Sequence, residues 1–248
     1  MKTRVVIFPM LIAGMLASGC SSNDVVKEKS EVKESGEHAQ HKSEQIEYGH
    51  FQSPIDILSD EAVPMDDDGT INLNYNDSFV SVEDNGHTIE VKDDDGTALI
   101  NGRKFSLAQF HFHASSEHTV DRENYEMELH FVNKSQSGRI AVIGVFLTAG
   151  AENPAFQTIL NNIKKGKEAP LTETTKIDVK QLVPQEKSYY HYLGSLTTPP
   201  YTENVEWYVM RNPVEVSRAQ IDKFRTHYPD NHREVQSLDD RTILEKKW

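Results

Sequence analysis

The stretch Gln109-Phe110-His111-Phe112-His113 constrains this chain more than any other. Aromatic and polar residues alternate there with period two. On a β-strand successive side chains point to opposite faces, so His111 and His113 share one face and Phe110 and Phe112 the other. The Phe, Val, Leu and Thr residues around it favour a strand over a helix. A second run, Tyr125 to Val132, puts Glu128 and His130 on a common face by the same rule. Pairing of the two strands through a turn around Glu123 and Asn124 brings three imidazoles together. Three neutral imidazoles with an open fourth position make a catalytic zinc site; a structural site takes four protein ligands, usually with cysteine, and no cysteine is near. Taken singly, a strand histidine is more often a hydrogen-bonded core or surface residue. The expectation rests on the His-x-His pair together with the third histidine.

At 248 residues the chain can build one sizeable core or two small ones. Its net charge of -13, from 26 Lys+Arg against 39 Asp+Glu, argues against a nucleic-acid partner, which would need basic stripes. No apolar run is long enough for an internal membrane span. Met1 to Gly19 reads as an export signal, with Lys2 and Arg4 at the charged start, an apolar stretch from Val5 to Leu16, and small residues Ala17-Ser18-Gly19 before Cys20. Small residues ending on a cysteine resemble a bacterial lipobox, which implies cleavage before Cys20, a lipid on its sulfur and anchoring to the cell envelope. The alternative is an ordinary secretory signal with an incidental cysteine. Cys20 is the only cysteine, so the exported protein has no internal disulfide. Residues 20–45 are polar and charge-rich and cannot bury enough surface to offset their ordering entropy, which predicts a flexible tether. His38 and His41 fall there and read as solvated.

The folded domain is expected over residues 46–248. Short β-like runs are separated by turn signals such as Asn85-Gly86, Asp95-Gly96 and Asn101-Gly102. The repeated Asp-Asp-Asp-Gly-Thr strings, Asp66–Thr70 and Asp93–Thr97, read as solvated turn tips rather than calcium loops. Two helices are marked. Asn153-Pro154 starts one, with Phe156, Ile159, Leu160 and Ile163 as its apolar face. Ser217 and Gln220 start the other as a capping box, with Val216 and Ile221 as a hydrophobic staple. Many strands and few helices predict a β-dominated α+β domain.

Several segments together resemble the α-class carbonic anhydrases, in that family's order. They are Gln52-Ser53-Pro54-Ile55, Asn85-Gly86-His87, Gln109–His113, Ser116-Glu117-His118-Thr119-Val120-Asp121, Glu128-Leu129-His130 and Gly194-Ser195-Leu196-Thr197-Thr198-Pro199-Pro200. The resemblance implies a large, twisted, mostly antiparallel sheet with zinc at the bottom of a conical cleft. It also implies reversible hydration of carbon dioxide to bicarbonate by zinc-bound hydroxide. The zinc ligands it implies are His111, His113 and His130, the three that the strand pattern nominates.

The resemblance assigns further roles. Gln109 and Glu128 would accept from His111 and His130, and the Asn231 carbonyl from His113. Thr197 would bond to Glu117, for which a simple salt bridge is the alternative, and so aim the nucleophile. Thr197 and Thr198 would contact substrate or product, while Val132, Val142, Leu196 and Trp207 would form an apolar wall for carbon dioxide. His87 would carry protons to buffer; without the resemblance it is a turn histidine. His118 reads as structural rather than as a fourth ligand. The chain departs from the family pattern in its shortened N-terminal segment, which lacks tryptophan and leaves Tyr48-Gly49 as a remnant. It departs again in a missing disulfide, with Tyr201 in place of one cysteine. A metal-free binding module on the same fold, and a surface lipoprotein that binds a partner or glycan while retaining activity, are the competing functions.

Overall fold

The computed structural model describes residues 49–75, 77–93, 95–163 and 175–248. The expected export signal, Cys20, the tether with His38 and His41, and Tyr48 lie outside these residues.

Two strands form the centre. Arg103–His113 and Met127–Ser135 pair antiparallel, with His130 opposite His111 and Glu128 opposite His113. They belong to a 12-stranded sheet. Ile89–Lys92, Asp77–Asp84 and Thr175–Asp178 follow on one side. Ile140–Ala149, Glu203–Val216, Tyr189–Ser195, Leu244–Lys246 and Val63–Pro64 follow on the other. Ile71–Asn74 and Thr97–Ile100 add a short extension beside Arg103–His113. Pairing is antiparallel except between Ile140–Ala149 and Glu203–Val216 and between Leu244–Lys246 and Val63–Pro64. The fold is therefore the β-dominated one expected, with a large, mostly antiparallel sheet.

Alternation along the central strands divides the core in two. Phe110, Phe112, Leu129 and Phe131 enter one cluster, covered by the helices Pro154–Asn161 and Arg218–His227. Phe112 meets Phe156 at 4.9 Å and Phe224 at 6.1 Å between ring centroids. Burying one such side chain contributes about 1.5–3 kcal/mol. The opposite face carries the histidines and a second cluster that includes Val142, Phe146, Tyr192, Trp207 and Val209.

Both helix starts follow the sequence. The Asn153 side chain accepts from Phe156 N, and Ser217 and Gln220 form the capping box, with Val216 and Ile221 fully buried beside it. The first helix ends at Asn161, so Ile163 packs on the core from beyond its C-cap rather than from the helix.

Three other expectations differ. Glu123–Asn124 is not the turn joining the histidine strands; it pairs with Thr119–Val120, which pairs with Asp56–Ile57 in a separate three-stranded sheet. The joining segment therefore has room to place Glu117 and His118 close beside His130. Asp93 is not at a solvated tip: it is buried, and its Oδ1 accepts from the backbone N–H groups of Asp95 and Gly96. Tyr189–Ser195 is a strand that the sequence did not announce. Tyr190, Tyr192 and Gly194 are buried on one face, while Tyr189 and the exposed Leu193 put large apolar side chains on the other, so no apolar–polar alternation marks the strand in sequence.

Candidate metal centre and active site

The register of the central strands creates the site. Because His130 sits opposite His111, and His113 lies two residues further along the same face, the three rings converge. Their centroids are 4.6 to 5.3 Å apart. One nitrogen of each lies within 4.8 Å of the others, a spacing that suits a single metal ion.

Each ring is held from behind by an acceptor. His111 Nδ1 is 2.8 Å from Gln109 Oε1, His113 Nδ1 is 2.8 Å from Asn231 O, and His130 Nε2 is 2.9 Å from Glu128 Oε1. These oxygens accept only, so each fixes the imidazole proton on the outer nitrogen and turns a lone pair inward. His113 Nε2 is buried with no hydrogen-bond partner. A buried, unsatisfied acceptor that faces two more inward imidazole nitrogens is what a metal would complete, and the all-nitrogen donor set suits zinc.

Electrostatics favour neutral ligands at two of the three positions. Burial, reinforced by the other two imidazoles, holds His111 well below the usual imidazole range. Burial also lowers His113, against the pull of Glu117. For His130, burial works downward but is outweighed by the charge and hydrogen bond of Glu128, so its pKa is raised. Burial opposes the charge on Glu128, yet His118 and His130 hold its carboxyl well below the carboxylate range.

Glu128 is fully engaged. Its Oε1 accepts from His130 and from His118 Nδ1 at 2.8 Å, and its Oε2 accepts from the backbone N–H groups of Glu117 and His118. The other ring nitrogen of His118 is 2.7 Å from the Tyr192 hydroxyl. His118 thus has both nitrogens occupied, as a structural histidine should. Sequence reasoning missed Gly144, opposite His130 on the next strand. A Cβ there would lie 3.0 Å from Glu128 Oε1, so the missing side chain gives the carboxylate its room.

The cleft above the histidines has a volume of about 850 Å³. His87, Gln109, His111, His113, Glu117, Thr197 and Thr198 all line it. Glu117 is buried, its Oε1 accepting from Arg233 N at 2.8 Å. The expected hydrogen bond from Thr197 to Glu117 is not formed: Oε2 has no partner and lies 3.7 Å from His130 Nδ1, so the carboxylate leans on the imidazole edge. His87 is exposed on the rim, in a turn closed by Asn85 Oδ1, which accepts from His87 N and Thr88 N. The Asn231 side chain donates to His87 O at 3.0 Å, tying the rim to the segment that holds His113.

Val132, Val142 and Trp207 are successive partners in one row across three strands, with Gln109 next to Val132. That row lies immediately beside the His111–His130 row, on the same face. Trp207 packs its ring 4.8 Å from His130, and Leu196 and Val132 pack against the same cluster. The expected apolar wall is therefore one contiguous patch flanking the imidazoles.

The family model described as eukaryotic-type carbonic anhydrase matches residues 35–247. A carbonic anhydrase of Nostoc sp. is 42% identical over 201 residues, covering 79% of this chain and 76% of that protein. The chain belongs to the eukaryotic-type carbonic anhydrase family. A carbonic anhydrase of Klebsiella pneumoniae is 37% identical over 204 residues, with 79% of this chain and 80% of that protein covered. Among solved structures, the α-carbonic anhydrase of Thermovibrio ammonificans, in complex with the inhibitor sulfanilamide, superposes with a TM-score of 0.74 at 42% identity. That match covers 79% of this chain and 87% of the other. As a carbonic anhydrase, the chain is an enzyme of carbon dioxide hydration, with carbon dioxide and bicarbonate as its substrate and product.

Proposed function

We propose that the chain hydrates carbon dioxide with a zinc ion held by His111 Nε2, His113 Nε2 and His130 Nδ1. The observation that carries this is the trio of inward lone pairs, each set by an acceptor oxygen on the far side of its ring. When bound, zinc would lower the pKa of a coordinated water and so supply a nucleophile near neutral pH, an effect for which carbonic anhydrase is the standard example. The chain's own residues do the rest. Gln109, Asn231 and Glu128 fix the ring orientations. Glu117 Oε2, buried beside His130 Nδ1 and without a donor, is an acceptor for a hydroxyl hydrogen in the cleft that Glu117 and Thr197 both line. With Thr197 it aims the attacking oxygen, and Thr198, exposed in the same cleft, contacts substrate or product. Val132, Val142, Leu196 and Trp207 offer an apolar surface that holds carbon dioxide and excludes water. His87, at the rim, passes the released proton to buffer.

Export and anchoring through Cys20 belong to the same proposal, supported by the charged start, the apolar stretch and the small residues before that cysteine. Residues 20–45 would then tether a catalytic domain, residues 46–248, to the cell envelope.

Replacement of His111 tests the function. His111→Ala should lose zinc retention and turnover together, by metal analysis and stopped-flow hydration. Full activity in metal-depleted His111→Ala would overturn the assignment.

A further inference from the structure

Arg233 stands where three remote segments meet around the cleft. Its backbone N–H donates to Glu117 Oε1 at 2.8 Å. Its guanidinium donates through Nη1 to Gln52 Oε1 at 3.0 Å and to Ser53 O at 2.7 Å, and lies 3.8 Å over the Tyr201 ring. Gln52 continues outward, its Nε2 donating to Glu203 Oε1 at 3.0 Å and to Tyr201 O at 3.4 Å. Glu203 Oε1 also accepts from Phe51 N at 2.8 Å. The loop thus gripped is the one that carries Thr197: Tyr201 N donates to Thr198 O, and Leu196 N donates to Thr202 O, both at 2.9 Å.

We propose that Arg233, acting with Gln52 and Glu203, is a positioning residue for carbon dioxide hydration. Its side chain fixes the amide that orients Glu117 and the loop that presents Thr197. The proposal rests on the roles given above to Glu117 and Thr197. Among the described residues, the hydrogen bond to the Glu117 carboxylate comes from the Arg233 backbone N–H. Residues 231–233 have no helix or strand to hold them, so that amide points where side-chain anchors put it. Asn231 anchors the start of the segment to the Ala114 N–H and to the His87 and Phe112 carbonyls. Arg233 anchors its end. A planar guanidinium suits this place because it can bond two oxygens at its edge while stacking an aromatic ring on its face, which an ammonium cannot do. Glu117 and Thr197 must stand in register to within a fraction of an ångström, and both are reached from Arg233.

The test is stopped-flow hydration over a range of pH by the full-length zinc-loaded protein, alongside zinc content, melting temperature and amide hydrogen exchange. The variants are Arg233→Ala, Gln52→Ala, Glu203→Ala and Glu203→Gln. Misplacing an aligned group by an ångström costs roughly a hundredfold, so Arg233→Ala should lose about ten- to a hundredfold in kcat/KM with zinc retained. Exchange at residues 230–234 should quicken and the pH profile should move. Glu203→Ala should lose part of the rate, and Glu203→Gln, which keeps the accepting oxygen, should recover it. A lower melting temperature with unchanged kcat/KM and pH profile in Arg233→Ala would make the cluster purely structural and overturn the proposal. If Arg233→Ala does not fold, equal kcat/KM in Glu203→Ala, Glu203→Gln and Gln52→Ala, all matching the unsubstituted chain, overturns it as well. An unsubstituted zinc-loaded chain that is itself inactive would instead overturn the function, and the positioning role with it.

Discussion

Glu128 stands opposite His113 in the register of the two central strands, yet the candidate ligand it accepts from is His130, two residues along its own strand. His113 is served instead by a backbone carbonyl from a remote loop, Asn231 O. Two ligands are therefore oriented from within their own strands and the third from a loop 118 positions away. Glu128 also carries His118 and two backbone N–H groups, so its removal leaves several buried donors unsatisfied.

Glu128→Gln keeps the shape of this carboxylate and weakens its acceptance. Losing an acceptor behind a ligating histidine typically costs about 10- to 100-fold in metal affinity. Competitive titration with a chelator should show a loss of that size in zinc affinity. Unchanged affinity would remove Glu128 from the metal site. Glu128→Ala should be worse for the fold itself, by about 3–5 kcal/mol, because the imidazole and amide donors lose a buried charge partner.

His87→Ala separates proton transfer from the chemical step. A group that only carries protons away limits kcat in dilute buffer and leaves kcat/KM alone. The variant should lose roughly tenfold or more in kcat at low buffer concentration, and added imidazole should restore it. A fall in kcat/KM without rescue would make His87 a structural turn residue.

The metal-free protein should weaken as the solution is acidified below neutrality. His111, His113 and His191 all have folded pKa values below the ordinary imidazole value of 6.5, in each case chiefly through burial. For a depressed group the stabilisation is fully present above the unfolded pKa and is lost as pH falls through the folded one. His130 is raised and acts in the opposite sense: its contribution is present below the unfolded pKa and is lost as pH rises through the folded value. His111, the one group held well below the ordinary value, acts with His113 and His191 against the raised His130. Denaturant midpoints of chelator-treated protein should therefore be lower at about pH 5.5 than at about pH 7.5. An equal or higher midpoint at the acid end would contradict the burial-driven shifts.

The legible parts of the sequence were those with a periodic or local cause. Alternation in Gln109–His113 fixed which face each ring takes, and the caps at Asn153 and Ser217 depend on neighbours three residues away. The acceptors Gln109 and Glu128 were accessible for the same reason, each two residues from its histidine. What escaped depends on distant partners. Tyr189–Ser195 shows no apolar–polar alternation because Tyr189 and Leu193 stand on the face opposite the buried Tyr190 and Tyr192. Gly144 has no local signature, since its need for an absent side chain comes from a carboxylate on the neighbouring strand. The contacts of Arg233 with Gln52 and Ser53 span 181 and 180 positions, beyond any pattern in sequence. The path between the histidine strands was misplaced because a turn-like Glu123-Asn124 pair was free to join a second, smaller sheet.

The most direct test of the account is stopped-flow carbon dioxide hydration by the purified chain, with zinc content measured on the same sample. The account predicts fast hydration with about one zinc per chain, both lost on chelation and both restored by zinc. Folded chain that holds zinc at that ratio without hydrating carbon dioxide, or that hydrates it equally well after the metal is removed, would contradict it.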